Sequence, residues 1–305
     1  MKILLFGKNG QVGWELQRSL APLGELVALD RRSTNLCGDL ADLDGISTTV
    51  HHVRPDVIIN AAAYTAVDKA ESDAATAHAV NAEAPGVLAQ AASAVGAWLV
   101  HYSTDYVFDG SGSKPWEESD PTGPLNVYGR TKLEGEQRIA AQCEQHLILR
   151  TSWIYAARGG NFAKTILRLA GEQERFTVVD DQFGAPTGAD FLADVTAHLA
   201  SRIQDRGNDR LAGTYHVSAA GETSWHGYAS FVIETAARAG MRLKASSDFV
   251  IPVRTTALST LAARPNNSRL DTTKFQRSFG LKSPAWQSGV ARMLAEVAGG
   301  HHDST

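Results

Sequence analysis

Short apolar runs alternate with longer amphipathic stretches along the first half of the chain. Apolar runs of four to five residues, bounded by Gly, Pro or Asp, predict buried strands at 3–6, 25–29, 56–60, 98–103 and 146–150. Apolar residues at intervals of three and four predict helices at 11–21, 43–52, 68–95 and 126–142, the third with a break at Pro85-Gly86. Strands and helices in regular succession indicate a parallel sheet with both faces covered, which is the doubly wound (Rossmann-type) α/β class.

The second half is less regular. The same patterns predict helices at 162–171, 189–202, 225–239 and 286–298, and strands at 176–179 and 214–217. Proline, arginine and β-branched residues are mixed at 246–265, which predicts a loop, and a frayed end is predicted at 301–305. We therefore expect a dinucleotide-binding domain at 1–150 and a smaller substrate-binding lobe at 151–305, with helix 189–202 able to pack back onto the first domain.

Composition and charge exclude several classes of protein. The 305 residues are 43% hydrophobic and 20% charged, which is typical of a globular protein. The net charge of −4 comes without a long basic run, which argues against a nucleic-acid partner. The apolar run after Lys2 is too short for a signal peptide, and no later stretch has transmembrane length. Cys37 and Cys143 lack metal-site or disulfide spacing. We expect a cytoplasmic protein with reduced thiols and no membrane partner.

Three glycines follow the first predicted strand and open the first helix. Gly7, Gly10 and Gly13 have the spacing Gly-x2-Gly-x2-Gly. The first permits a tight turn, the second lets the backbone approach a pyrophosphate, and the third lets the helix pack closely on the strand. The free amide groups and the positive end of the helix attract phosphates. This turn, in its βαβ context, predicts a bound dinucleotide.

The end of the second strand carries opposing signals about which dinucleotide binds. Asp30 can bind both ribose hydroxyls of NAD. Arg31 and Arg32 follow it and can hold a 2′-phosphate instead. We therefore predict that both NADH and NADPH are used and do not rank them. Asp39 and Leu40 are either adenine contacts or a polar loop residue and a core leucine.

A tyrosine and a lysine one helical turn apart are the candidates for proton transfer. Tyr128 and Lys132 share a helix face, although such a pair alone is more often a surface feature. Thr104 follows strand 98–103, so its hydroxyl lies at the carboxyl edge of the same sheet. Hydride attack on a carbonyl makes an alkoxide that must be protonated, and a lysine cation lowers the pKa of a phenol toward neutral pH. Together with the glycine-rich turn, these three residues are predicted to be catalytic.

Several motifs together resemble a known family over nearly the whole chain. The resemblance is to the extended short-chain dehydrogenase/reductases and, among them, to the dTDP-4-dehydrorhamnose reductase family. The motifs are residues 7–13, 60–68 (NAAAYTAVD), 103–110 (STDYVFDG), 128–136, 150–153 and 182–187 (QFGAPT).

The resemblance implies NADPH- or NADH-dependent reduction of the C4 ketone of dTDP-4-dehydro-L-rhamnose to dTDP-L-rhamnose. It makes Tyr128 the proton donor, Lys132 the residue that tunes it and holds the nicotinamide ribose, and Thr104 an adjuster of hydrogen bonding. The residues implied to line the cofactor are Gly7, Gly10, Gln11, Val12, Gly13, Asp30, Arg31, Asp39, Leu40, Ala63, Tyr64, Thr65, Tyr102 and Lys132. Those implied to contact the dTDP-linked keto sugar are Thr104, Asp105, Tyr128 and Trp153, with a core position for Trp153 left open.

The resemblance also implies a homodimer and a structural Mg²⁺ ion near the dimer interface. Glu15 is one candidate carboxylate ligand, with Asp190 and Glu296 as others, and a solvated surface position is an equal alternative for them. The residues that hold the substrate pyrophosphate are not determined by the sequence. Arg254, Arg264 and Arg269 lie in the lobe where they could do so.

Two other functions remain open at this level. One is a sugar-nucleotide 4-epimerase or 4,6-dehydratase on the same fold. The dehydratases carry an acidic pair after the threonine, whereas here Asp105 is followed by Tyr106, which favours simple reduction. The other is a non-catalytic subunit that resembles the regulatory β subunit of methionine adenosyltransferase. Tyr128, Thr104 and Lys132 do not distinguish that protein from an enzyme.

Overall fold

The structure, a computed structural model, describes residues 1–203, 208–258 and 260–299. The strands of this part of the chain are β1 Lys2–Phe6, β2 Glu25–Leu29, β3 Val57–Asn60, β4 Trp98–Thr104, β5 His146–Thr151, β6 Ile154–Tyr155, β7 Phe176–Val179, β8 Phe183–Gly184, β9 Thr187–Gly188, β10 Gly213–His216, β11 Thr223–Ser224 and β12 Val250–Val253. Its α-helices are α1 Gln11–Leu20, α2 Leu43–Val53, α3 Val67–Ala70, α4 Ala74–His78, α5 Ala84–Val95, α6 Val127–Gln142, α7 Phe162–Glu172, α8 Ala189–Ile203, α9 Trp225–Arg238, α10 Thr273–Phe279 and α11 Trp286–Gly299.

Six parallel strands form the central sheet in the order β10-β5-β4-β3-β1-β2. Both faces of the sheet are covered, which explains why its inner strands are continuous apolar runs. Leu16 of α1 and Leu192 of α8 pack on one face, and Val50 of α2 and Leu88 of α5 pack on the other. The predicted doubly wound α/β class is confirmed. The strand order changes direction at β1, and ligands bind beyond the carboxyl ends of the strands at such a point.

The predicted helix at 68–95 is wrong in its details. It consists of α3, α4, a π-helical turn at Ala79–Glu83 and α5. The predicted break at Pro85-Gly86 is absent, because Pro85 lies in the first turn of α5, where a missing N–H is tolerated. The irregular turn comes just before it. Pro85 has no N–H to donate to the carbonyl group of Asn81. That carbonyl group packs against Gly135 of α6, and a Cβ atom at Gly135 would lie 2.2 Å from its oxygen.

The four helices predicted in the second half are confirmed as α7, α8, α9 and α11. The predicted loop at 246–265 is wrong in part, because Val250–Val253 form β12, which pairs in parallel with β7. The residues of β12 give no clear strand pattern, because they include Pro252. The strand with which β12 pairs, β7, is also distant in sequence. The helix α10 was not predicted either. The predicted frayed end at 301–305 lies outside the described residues.

The central sheet draws on both halves of the chain. The strand β10 adds to its edge beside β5, and α8 packs against α1. The helices α7, α9 and α11 build a second lobe and enclose a separate core around Tyr228 and Trp286. Within the described residues, no helix is long and apolar enough to span a bilayer.

Candidate functional site

A groove of about 1020 Å³ lies over the carboxyl edge of the sheet, where β1, β3 and β4 end. It extends to the second lobe, which contributes Trp225. Most of the residues predicted from the sequence line it: Gly7, Gly10, Gln11, Val12, Asp30, Arg31, Asp39, Leu40, Ala63, Tyr64, Thr65, Thr104, Asp105, Tyr128 and Trp153. The structure thus brings the candidate cofactor and substrate residues into one cavity.

The glycine-rich turn has the geometry predicted for it. Gly7 has φ +89°, and a Cβ there would lie 2.7 Å from the amide nitrogen of Ala62. A Cβ at Gly13 would lie 2.0 Å from the carbonyl oxygen of Gly7, so only glycine lets α1 pack this close. The helix starts after Gly10 without a side-chain cap, which leaves its first amide groups free to bind a phosphate. These residues fit a dinucleotide pyrophosphate.

Asp30 presents a carboxylate to the same groove. Its Oδ1 accepts hydrogen bonds from the Arg32 amide at 2.9 Å and from the Ser33 hydroxyl at 3.2 Å. The Arg32 amide is the main cause that lowers the pKa of Asp30, so the group is charged at neutral pH. Arg31 and Arg32 also line the groove and are exposed. The groove therefore contains both kinds of group, a carboxylate that can bind ribose hydroxyls and guanidinium groups that can bind a 2′-phosphate.

Tyr128 lies at the start of α6, beside the end of β4. The Asn126 side chain caps the helix by accepting from the Gly129 amide at 2.7 Å, which orients the first turn. The phenol hydrogen-bonds with the Thr104 hydroxyl. Burial raises the pKa of Tyr128 to about 12, the Thr104 hydrogen bond opposes this rise, and the carboxyl group of Asp105 adds to it. At neutral pH the phenol is protonated, as a proton donor must be.

Lys132 is not placed as the sequence predicted. Its side chain is buried, and its ammonium group donates to the Tyr102 carbonyl at 2.6 Å and lies 3.0 Å from His101 Nε2. Burial lowers the pKa of Lys132 to about 8, and Glu136 partly opposes this. The expectation that Lys132 lowers the pKa of Tyr128 is therefore wrong for this geometry, since burial raises that pKa and the ammonium group faces β4.

His101 contacts Lys132 and Asn60 in turn contacts His101, and neither role was predicted from the sequence. His101 Nδ1 lies 3.1 Å from the side-chain amide of Asn60, whose oxygen accepts from the Ala62 amide. Burial, together with the charge of Lys132, lowers the pKa of His101 well below its usual value, so the imidazole is neutral. His101 interrupts the apolar start of β4, and Asn60 ends the apolar strand β3, and both side chains are buried. A buried polar residue in such a strand needs a partner.

Tyr102 does not line the groove with its side chain. Its phenol packs in the core on the other face of the sheet, 2.5 Å from the Thr196 hydroxyl. Neighbouring residues on a strand point to opposite faces, so His101 and Ser103 share a face and Tyr102 does not. The prediction that Tyr102 lines the cofactor is wrong for its side chain, and only its carbonyl faces Lys132.

Three buried polar atoms in the groove have no hydrogen-bond partner among the described residues. They are Ser103 Oγ, Thr151 Oγ1 and Asp105 Oδ2, and all three residues line the groove. A buried polar atom without a partner costs about 1–3 kcal/mol, so such atoms point to a polar ligand that would satisfy them. Ser103 and Thr151 were not predicted to line the groove, although each lies within one of the motifs at 103–110 and 150–153.

Trp153 stacks on Trp225 at the second-lobe side of the groove. The ring centroids are 3.6 Å apart with an interplanar angle of 14°. The backbone of Trp153 has φ +49°, a left-handed conformation that is strained for a bulky residue. Gly184 makes room for the indole, because a Cβ there would lie 2.8 Å from it. Trp153 is half-buried and lines the groove, so the alternative that it is a core residue is wrong.

The three arginines considered for the substrate pyrophosphate do not line this groove. Arg264 pairs with Asp68 at 2.6 Å, and Arg269 pairs with Glu222 at 2.5 Å. The described part of the chain therefore leaves this role unassigned.

The structure does not assemble the predicted magnesium site. Glu15 pairs with Arg18 at 3.8 Å, and Asp190 pairs with Arg292. Glu296 lies in a different groove, between α7 and the end of α9. Among residues 1–203, 208–258 and 260–299, no group of three or more His, Cys, Asp or Glu residues could hold a metal ion. Two of the three carboxylates are paired with arginines of the same chain.

Comparison with known proteins agrees with this site. Residues 1–298 match the family model described as the RmlD substrate binding domain. A relative named dTDP-4-dehydrorhamnose reductase, from Shigella flexneri, is 58% identical over 97% of this chain and 98% of its own. Two solved structures with the same name cover 97% of this chain and 99% of theirs. The one from Clostridium acetobutylicum has a TM-score of 0.88 at 33% identity, and the one from Bacillus anthracis, in complex with NADP, has 0.85 at 34%. This chain belongs to the RmlD family of dTDP-4-dehydrorhamnose reductases.

Proposed function

We propose that this protein reduces the C4 ketone of dTDP-4-dehydro-L-rhamnose to dTDP-L-rhamnose with a nicotinamide cofactor. The observation that carries the proposal is the hydrogen-bonded pair of Tyr128 and Thr104 in a groove that begins at the glycine-rich turn. The family relationship supports the choice of substrate, since relatives that span nearly the whole chain bear this name. The reaction needs a hydride donor and a proton donor, and the groove has a place for each.

The cofactor, when bound, supplies the hydride. Tyr128 donates its phenolic proton to the oxygen of the substrate carbonyl, and Thr104 fixes the direction of that phenol. The pKa of about 12 keeps Tyr128 protonated until the oxygen becomes an alkoxide. Lys132 places a positive charge at the same edge of the sheet, held by His101 and the Tyr102 carbonyl. Its contribution is to position the nicotinamide ribose.

In this proposal, some residues of the groove bind the sugar nucleotide and others bind the cofactor. Asp105 and Trp153 contact the sugar nucleotide together with Thr104 and Tyr128. The residues that hold the cofactor are Gly7, Gly10, Gln11, Val12, Gly13, Asp30, Arg31, Asp39, Leu40, Ala63, Tyr64, Thr65 and Lys132. Support for a dinucleotide at this place comes from the NADP complex of the Bacillus anthracis relative and from the fit of the glycines.

The proposal includes the division of labour between the two halves. Residues 1–150 bind the cofactor, and residues 151–305 mainly bind the substrate. Trp225 supports this division because it brings the second lobe to the groove. A cytoplasmic homodimer also belongs to the proposal, and the free thiols of Cys37 and Cys143 fit a reducing compartment.

The test is to incubate the protein with NADPH and dTDP-4-dehydro-L-rhamnose and to follow the absorbance of the reduced nicotinamide. We expect one reduced cofactor to be consumed for each dTDP-L-rhamnose formed. A dehydratase or epimerase would instead keep tightly bound NAD and consume none. A regulatory subunit would bind the cofactor and show no turnover, and either of these results would contradict the proposal.

Both NADPH and NADH should support turnover. Asp30 and the neighbouring arginines Arg31 and Arg32 line the same groove. The Asp30 carboxylate can bind the ribose hydroxyls of NADH, and the arginines can offset its repulsion of the 2′-phosphate of NADPH. We expect the two kcat/KM values to differ by less than about a thousandfold, which corresponds to about 4 kcal/mol. Steady-state kinetics with each cofactor at saturating substrate measure the ratio. A larger preference would mean that one of the two signals dominates and would contradict dual use.

Replacing Trp153 with alanine should raise KM for the sugar nucleotide by about 2- to 10-fold and change kcat less. That range corresponds to the roughly 0.5–1.5 kcal/mol of an aromatic stacking contact. The matched control is Trp14→Ala, which removes an exposed indole on α1 outside the groove. Equal KM values for the two variants would argue that Trp153 does not touch the substrate.

A further inference from the structure

The carboxyl group of Asp105 is buried in the wall of the groove, next to the Thr104 hydroxyl. The residue is 2% exposed, although it lies in the same turn as Thr104. Its Oδ1 lies 3.1 Å from the Thr104 hydroxyl, which donates to the carboxylate form and accepts from the protonated carboxyl group. The same hydroxyl hydrogen-bonds with Tyr128. Phenol, hydroxyl and carboxyl group therefore form one continuous chain of hydrogen bonds.

We propose that Asp105 is the acid that returns a proton to Tyr128 after each reduction, through the Thr104 hydroxyl. This inference rests on the proposed function, because it needs Tyr128 to lose a proton in every turnover. It assigns Asp105 a catalytic role in addition to contact with the sugar nucleotide.

The proton balance of the relay is complete. The carbonyl oxygen takes the Tyr128 proton as hydride reaches the carbon, which leaves a phenolate. The phenolate takes the proton of the Thr104 hydroxyl while Thr104 takes the proton of the Asp105 carboxyl group. Asp105 is left as a carboxylate and regains a proton from water in the groove, which it lines. One proton from solvent is consumed in each turnover, as the reduction requires.

The environment of Asp105 suits a proton donor near neutral pH. Burial raises its pKa to about 7, and the Ser268 and Thr104 hydroxyls limit that rise. The phenol of Tyr128 has a pKa of about 12, so proton transfer from the carboxyl group to the phenolate is strongly favourable. Asp109, four residues later, has its pKa lowered by the Ser111 amide and lies outside the groove, so it cannot serve in this way.

The experiment compares the first turnover with the later ones in Asp105→Asn. With NADPH and saturating dTDP-4-dehydro-L-rhamnose, we expect a rapid burst in which about one NADPH per subunit is oxidised. A steady rate at least about tenfold below that of the wild type should follow, because the phenolate waits for a proton. Added formate should raise the steady rate of the variant without changing the burst. The wild type should show no burst and no response to formate.

Two further variants make the result decisive. Thr104→Val removes the connecting hydroxyl. Because Thr104 also orients the Tyr128 phenol, this variant should slow the first turnover and slow the later turnovers more, which tests the relay even if Asp105→Asn fails to fold. Asp109→Asn is the matched control and should turn over within about threefold of the wild type. Equal losses in the burst and the steady rate, or a steady rate that formate leaves unchanged, would overturn the relay while wild-type turnover still supports the reductase. A wild type that oxidises no NADPH with this substrate would contradict the proposed function and the relay together.

Discussion

Replacing Tyr128 with phenylalanine should lower kcat by at least about 10²-fold, the usual effect of losing a positioned acid. The substitution removes only the hydroxyl that hydrogen-bonds with Thr104. The ring keeps its edge-on contact with Tyr106, at 5.6 Å between centroids, so the fold of the site should persist. Affinity for NADPH should be nearly unchanged, because the glycine-rich turn is untouched. Stopped-flow oxidation of NADPH by the keto sugar measures the loss directly.

The matched control for this experiment is Tyr106→Phe. Tyr106 lines the same groove, and burial raises its pKa far above the usual value for tyrosine. The carboxyl group of Asp105 adds to that rise, and no hydroxyl group of the described residues opposes it, so its phenol is not poised to donate. We expect less than about a tenfold loss of kcat in this variant. Full activity in Tyr128→Phe, or an equal loss in both variants, would remove Tyr128 from the mechanism.

The parts of the site that the sequence revealed depend on local rules. Gly7 and Gly13 could be assigned because each occupies a position where backbone lies too close for a Cβ atom. Thr104 and Tyr128 could be brought together because one ends a parallel strand and the other begins the next helix, at the same edge of the sheet. Such inferences need only chain order and the geometry of a βαβ unit.

The parts that the sequence did not reveal depend on packing between distant segments. The burial of Lys132 against His101 requires the exact approach of α6 to β4, which no spacing along the chain encodes. The face to which Tyr102 points, by contrast, follows from strand alternation alone. The strand β12 forms only because β7 lies beside it, so its residues alone predict a loop. Tertiary contacts decide strand formation in such weak segments.

The predicted magnesium site shows the limit of reasoning from residue type. Glu15 and Asp190 are carboxylates, as Mg²⁺ prefers, but the fold pairs each of them with an arginine. An arginine partner supplies the positive charge that a metal ion would otherwise bring. Whether a carboxylate is available to a metal is therefore a property of the folded surface and not of the sequence.

The largest expected effect on stability comes from the buried ion pair beneath the site. Glu136 of α6 and Arg150 of β5 are joined at 2.7 Å, with side-chain exposures of 5% and 7%. A second contact, from Arg150 Nε to Glu136 Oε1, measures 3.0 Å, so the guanidinium group meets the carboxylate with two of its nitrogens. The third, Nη1, is buried and has no hydrogen-bond partner within the described residues. The carboxylate is thus the main compensation for a charge that water does not reach.

Replacing Glu136 with glutamine should lower the free energy of unfolding by about 3–5 kcal/mol, because an uncompensated guanidinium group then stays buried. Urea denaturation at neutral pH measures the change. The control is Glu134→Gln on the same helix, whose 37% exposed carboxylate pairs with Arg138 in solvent and should contribute less than about 1 kcal/mol. The double variant Glu136→Leu with Arg150→Met removes both charges and should recover most of the loss. Similar destabilisation in the Glu136→Gln and Glu134→Gln variants would show that the buried pair does not anchor α6 to the sheet.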